Sequence, residues 1–182
     1  MRIIAGEARS RKLKTRKGFE TRPTLANVKE ALFSMIAPHL EDSVFLDLFS
    51  GSGNIALEAL SRGAKRAVMI EKDTEALRFI IENVNALGFQ DRCRAYKNDV
   101  FRAIEILARK GEKFSIIFMD PPYQDNVCTK VLEHIEKFEI LGEKGIIICE
   151  HHAFEEMAER VGSFQKIDER RYQKKVITFY AR

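Results

Sequence analysis

The sequence predicts an α/β fold: a mostly parallel, doubly wound sheet covered by helices on both faces. Three observations carry that prediction. Short apolar runs recur without polar alternation, as strands buried on both faces require. A segment with helical apolar spacing follows most of them, the rhythm of strand–helix–strand units. The final two runs are joined by only a short polar link, so one late strand must be antiparallel. With 182 residues, 45% hydrophobic and 32% charged, the chain fits one domain with a small appendage: a basic arm over residues 1–22 and a main domain over 23–182.

The elements follow in order. Thr24 can cap a helix running to about Pro38, with Leu25, Val28, Leu32, Phe33 and Ile36 on one face. Residues 44–49 read as a buried strand, followed by a glycine turn, a helix over about 54–62 and Gly63 as its stop. A second strand covers 67–71. Asp73 can cap a helix whose stripe is Leu77, Ile80, Ile81, Val84 and Leu87, closing at Gly88. A third strand at 93–97, a helix over about 100–110, a strand at 114–119, a helix carrying Val127, Val131, Leu132, Ile135 and Phe138, and a strand at 145–149 continue the alternation. The tail reads as strands at 163–170 and 174–181, linked by Arg171, Tyr172 and Gln173.

Composition excludes several classes. No apolar run approaches the roughly 20 residues that span a bilayer, and the first 20 residues lack the apolar middle of a secretory signal, so a soluble, cytoplasmic protein without membrane association is expected. Cys93, Cys128 and Cys149 never form a C-x-x-C pair, and no histidine joins them at ligand spacing. They read as buried apolar fillers, and no metal is assigned.

Charge is unevenly placed. Residues 1–30 hold nine Lys and Arg against three Glu, residues 160–182 hold seven against two acidic residues, and the middle is net acidic. Cations so dense in a short first segment suit a polyanion. Arg9, Arg11, Lys12, Lys14, Arg16 and Lys17 are the expected phosphate contacts, with Arg22 closer to the site. The C-terminal run around Arg170, Arg171, Lys174 and Lys175 reads equally as a solvated face.

The chemistry gathers at strand ends. Gly51-Ser52-Gly53-Asn54-Ile55-Ala56 fits G-x-G-x-x-A between a strand and a helix, where glycines let a nucleotide approach the backbone. Glu71, 20 residues past Gly51, can accept from both ribose hydroxyls. Asp47, inside the preceding strand two residues before Phe49, and Asp99, after the third strand, add carboxylates to the same rim. Such a rim repels a pyrophosphate and favours the sulfonium and ammonium of S-adenosylmethionine; Asp99 reads equally as an N-cap. Asp120-Pro121-Pro122-Tyr123 directly follows a buried strand. Two prolines rigidify that turn and contribute no donors of their own. Asp120 and the Pro121 carbonyl could then accept both hydrogens of an exocyclic amino group, pulling its lone pair out of the base plane toward a methyl sulfonium, while Tyr123 stacks on a base withdrawn from its helix.

These residues resemble a known family. D-P-P-Y with D-x-F-x-G-x-G is similar to the amino-directed, S-adenosylmethionine-dependent methyltransferases of the seven-stranded Rossmann-like fold, whose last two strands include an antiparallel one. The opening Met1-Arg2-Ile3-Ile4-Ala5-Gly6, then Arg11-Lys12-Leu13, Arg22-Pro23-Thr24, residues 29–33, and residues 46–53 with 57–64 resemble the bacterial 16S rRNA guanine-N2 methyltransferases. The likeness runs over nearly the whole chain. It implies methyl transfer to the N2 amino group of a guanine, guanine 966, in small-subunit ribosomal RNA during subunit assembly. A DNA adenine-N6 or cytosine-N4 methylase is the nearest alternative, because D-P-P-Y does not tell the bases apart, but no insertion is large enough for a separate base-reading domain. A non-catalytic RNA-binding module would not require an intact D-P-P-Y, and a dehydrogenase would not suit the acidic rim.

Overall fold

The computed structural model of the chain describes residues 1–16, 23–122 and 126–182. Its elements are α1 (Pro23–Leu40), β1 (Val44–Asp47), α2 (Asn54–Ser61), β2 (Arg66–Glu71), α3 (Thr74–Leu87), β3 (Cys93–Lys97), α4 (Val100–Arg109), β4 (Phe114–Met119), α5 (Val127–Phe138), β5 (Leu141–His152), β6 (Arg160–Val161), β7 (Phe164–Tyr172) and β8 (Lys175–Ala181). One sheet runs in the order β3-β2-β1-β4-β5-β8-β7-β6. β1 through β5 pair in parallel, whereas β8 is antiparallel to β5 and β7, and β6 to β7.

The expected architecture holds, with eight strands in place of seven. The extra strand, β6, has two residues and pairs with β7 across a turn in which Gly162 has φ 58°. A two-residue strand generates no periodicity to read. The tail hairpin also closes more tightly than expected. β7 extends through Tyr172, leaving Gln173 and Lys174 as the link, and Gln173 adopts φ 55°. β5 starts four residues before the expected strand, because Leu141 pairs with Phe114 ahead of an irregularity in the ladder. α1 begins at Pro23, so Thr24 lies in its first turn rather than at its cap. Pro suits that first position, where its missing N–H costs no hydrogen bond.

Alternate residues of the central strands feed two cores. One face packs Phe45, Met69, Ile116 and Ile148 against α1, α2 and α3; the other packs Leu46, Val68, Ile117 and Ile147 against α4 and α5. α3 follows its predicted signals, with Asp73 accepting from the Ala76 N–H and Gly88 closing the helix at φ 75°. Ile81, assigned to its apolar stripe, is 49% exposed; the helix buries a narrower strip at the sheet margin.

The segment expected to stand apart as a basic arm is tied into the first core by Ile3, Ala8 and Leu13. Its backbone folds back on itself, with the Ile3 N–H donating to the Arg11 carbonyl and the Leu13 N–H to the Met1 carbonyl. Glu58, fully buried on α2, accepts from the Ile4 and Ala5 N–H groups at 2.9 and 3.0 Å. The same carboxylate pairs with Lys29 of α1 at 2.6 Å and Arg62 at 2.7 Å. Asn83 of α3 supplies a second clasp: its amide brackets the Lys14 backbone and also donates to the Ser52 carbonyl in the glycine turn.

Burial alone would raise the Glu58 carboxyl, yet the Lys29 charge and hydrogen bonds from Lys29, Ile4 and Arg62 bring it below its ordinary value. A depressed carboxyl stabilises the fold above the unfolded-state value near 4.3, and that stability is lost as pH falls through the folded-state value. Glu58→Ala leaves Lys29 buried without its partner, and urea unfolding should show a loss of about 3–5 kcal/mol. Glu58→Gln should flatten the acid side of the stability curve.

Candidate active site

The rim of the site is the row of carboxyl ends of β2, β1, β4 and β5, where an open α/β sheet receives its ligand. β1 ends at Asp47, and the chain turns through residues 48–53 into α2. Gly51 and Gly53 lie at φ 54° and 81°, backbone that favours glycine. A side chain at Gly53 would press on Met69 and Leu57 at 3.1–3.3 Å, whereas open space lies where one would project from Gly51. The turn is held by the Ser50 N–H on the Ile70 carbonyl and by the Ser50 hydroxyl on the Asp47 carbonyl.

Glu71, at the end of β2, has a role the sequence did not disclose. One carboxylate oxygen accepts from the Gly51 N–H at 2.8 Å and the other from the Asp73 N–H at 2.7 Å. It therefore fastens the glycine turn to the start of α3. Each oxygen keeps a second lone pair, so these bonds are compatible with a further hydroxyl donor.

Asp47 is almost fully buried, and Phe49 beside it is half-buried. Burial pushes the Asp47 carboxyl up to about 7; a hydrogen bond from the Phe49 N–H opposes the rise, and the charges of Asp120 and Glu71 add to it. Asp47, Glu71 and Asp120 thus form one electrostatic group. Asp99 stands apart from it as the N-cap of α4, one oxygen accepting from the Phe101 and Arg102 N–H groups at 3.0 and 3.5 Å. The capping role weighed from sequence is the one the structure displays. Beyond Asp99, between β3 and α4, a cleft of about 160 Å³ is lined by residues including Ile70, Tyr96, Ala103 and Leu107; none of the three grouped carboxylates lines it.

Asp120 follows β4 directly, with Pro121 buried and Pro122 exposed. Tyr123 lies outside the described residues, as do Lys17 and Arg22. Burial raises the Asp120 carboxyl, and the ammonium of Lys175 opposes that rise. Lys175 Nζ stands 3.5 Å from Asp120 Oδ2 and also contacts Glu150. This neighbour was missed because Lys175 is 55 residues away in a run that reads as surface charge; only the antiparallel register of β8 delivers it to the rim.

The basic start is partly spoken for. Arg11 donates to the Ala86 carbonyl, Lys14 pairs with Glu82, and Arg16 pairs with Glu75 and Asp73. These exposed pairs on α3 are individually weak and exchangeable. Arg9 and Lys12 are exposed.

A family model described as Conserved hypothetical protein 95 matches residues 1–181. The chain belongs to that family. Ribosomal RNA small subunit methyltransferase D of Escherichia coli (strain K12) is 35% identical over 150 residues, covering 82% of this chain and 74% of the relative. YlbH of Bacillus subtilis (strain 168) is 38% identical over 162 residues, covering 89% and 88%. The solved structure of the Escherichia coli yhhF protein matches with a TM-score of 0.88 at 31% identity, covering all of this chain and 97% of that one. The resemblance drawn from the basic start and the two motifs thus holds at the level of the family.

In this family member the raised Asp47 carboxyl makes a testable demand on stability. A carboxyl that keeps its proton in the folded state up to about 7, but loses it near 3.9 when unfolded, lowers stability as pH rises through that window, by up to about 1.4 kcal/mol per pH unit. Asp47→Asn should therefore be more stable than wild type at pH 8, with the difference shrinking toward pH 4 in urea titrations.

Proposed function

We propose that this chain transfers the methyl group of S-adenosylmethionine to the exocyclic N2 amino group of a guanine in small-subunit ribosomal RNA. The observation that carries the reading is Asp120 followed by Pro121 at the end of β4, on the rim it shares with Asp47 and Glu71. The acidic group fits a cationic nucleoside and disfavours a polyphosphate. The name borne by the Escherichia coli relative supports small-subunit ribosomal RNA as the substrate. No helix among the described residues is long and apolar enough to cross a membrane.

The bound cosubstrate would supply an electrophilic methyl on a sulfonium. Gly51 and Gly53 would let it approach the backbone, Glu71 would accept from its ribose hydroxyls, Asp99 would accept from its adenine through the oxygen not engaged in capping, and Asp47, with Phe49 beside it, would face the ammonium. Asp120 and the Pro121 carbonyl would accept the two amino hydrogens of the guanine, Pro122 would stiffen the turn, and Tyr123 would stack on the extruded base. The amino nitrogen bonds to the methyl carbon as the carbon–sulfur bond breaks and its electron pair goes to sulfur. The nitrogen then gives one proton to the Asp120 carboxylate, which releases it to solvent. Arg9, Arg11, Lys12, Lys14, Arg16, Lys17 and Arg22 would hold RNA phosphates.

Two measurements on the reaction follow, and a third on the RNA grip. Asp120→Ala should lower kcat about 10²–10³-fold, as loss of a transition-state acceptor does, with S-adenosylhomocysteine affinity by calorimetry within twofold of wild type and Asp120→Asn milder. Mapping label after incubation with unmodified small-subunit RNA, assembly intermediates and DNA should find N2-methylguanine in RNA, at guanine 966; label confined to adenine or cytosine in DNA would overturn the proposal. Replacing Arg9 and Lys12 together with Ala should reduce the slope of log affinity for that RNA against log salt by about 0.7–0.9 per lost phosphate contact. Parallel salt lines with equal intercepts would remove both residues from the interface.

A further inference from the structure

We propose that Lys175 is a positioning residue for the reaction, holding the Asp120 carboxylate ionised and aimed at the amino group, with Glu150 anchoring the lysine in turn. The inference rests on the methyl-transfer reading above and goes beyond the D-P-P-Y turn.

The geometry is built by strand register. β8 runs antiparallel to β5, so its first residue lies at the end of the sheet where β4 and β5 finish. Glu150 of β5 faces Ile177, and Lys175, two residues earlier on β8, has its side chain on the same face. Lys175 is only 22% exposed, its ammonium between Glu150, 8% exposed, and Asp120 Oδ2 at 3.5 Å. Its sequence neighbour Lys174 is exposed. A lysine serving only as surface charge would point outward as Lys174 does.

Burying Glu150 beside an already acidic rim is unfavourable unless the carboxylate has a partner. Lys175 is that partner, and Glu150 in return removes the freedom of the long lysine stem. A fixed ammonium is what Asp120 needs. Around Asp120 stand Asp47 from β1, which also interacts with Glu71 of β2, and Lys175 from β8, which Glu150 of β5 contacts in turn. Burial raises the Asp120 carboxyl, and the Lys175 ammonium opposes that rise. Without Lys175 the Asp120 carboxyl would retain its proton to higher pH. A protonated Asp120 cannot accept from the amino group through that oxygen or take up the departing proton.

The test is a set of three variants with distinct signatures. Lys175→Met should lower kcat on unmodified small-subunit RNA by at least tenfold at pH 7 and move the acid limb of the kcat–pH profile upward by about one unit, so that much of the activity returns at pH 9. Lys175→Arg should keep the wild-type limb. Glu150→Gln frees the lysine stem while removing a negative charge, so kcat should fall with little movement of the limb; a wild-type kcat would overturn the anchoring role of Glu150. Affinity for S-adenosylhomocysteine should remain within twofold in all three. A Lys175→Met profile lowered uniformly with its limb in place, in a protein folded by circular dichroism, would overturn the proposal. Carbon-13 carboxyl titration of Asp120 by NMR probes the same ionisation without any substrate: an upward displacement in Lys175→Met supports the proposal, and superimposable curves sink it. That readout stands even if wild type methylates some other nucleic acid, which would remove the guanine-N2 reading alone.

Discussion

The architecture depends on one buried carboxylate. Glu58 sits at zero exposure in α2 and collects the Ile4 and Ala5 amides, the Lys29 ammonium of α1 and the Arg62 guanidinium. Four groups from three segments converge on two oxygens, so the charge that would be prohibitive in an apolar interior is fully compensated. The constraint propagates outward. The first residues must return to α2, α1 must cross it near Asn54, and α2 must begin where the glycine turn leaves β1. Gly6 shows how tight this is: a side chain there would collide with the Ser61 backbone.

From that hub the site follows by adjacency. The glycine turn is stitched to β2 by Glu71 and to the first segment by Asn83, so the ligand-facing loop is supported on two sides by hydrogen bonds. Asp120 and Glu71 stand close enough to disfavour charge on Asp47, which adds to burial in raising its carboxyl to about 7. Electrostatic strain of this kind is relieved by a cation, and the proposed cosubstrate brings one.

Much of this was legible in the sequence for identifiable reasons. Non-alternating strands, the Asp73 cap, the Gly88 stop and the G-x-G-x-x-A turn each rest on local chemistry, and each stands where the pattern placed it. What escaped depends on length and surroundings. β6 is too short to have a period, and Ile81 follows a helical repeat that the sheet margin does not cover. The basic start reads as a detached arm because its cations outnumber its three core residues, Ile3, Ala8 and Leu13, whose burial depends on partners far along the chain. Lys175 is the sharpest case: nothing near it in sequence distinguishes it from Lys174, and only pairing between β5 and β8 turns one inward.

The position of β8 also governs the order in which the protein can be completed. This strand is inserted between β5 and β7, so it is interior to the sheet although it follows both of them in the chain. A ribosome delivering the chain from its N-terminus exposes β5 first with one open edge, then the β6–β7 pair with nothing to join, and only afterwards the strand that bridges them. Until then the apolar inner residues of β5 face an unfilled slot, an invitation to mispairing that chaperones exist to guard. A product truncated before β8 would thus lose the middle of its sheet instead of its margin.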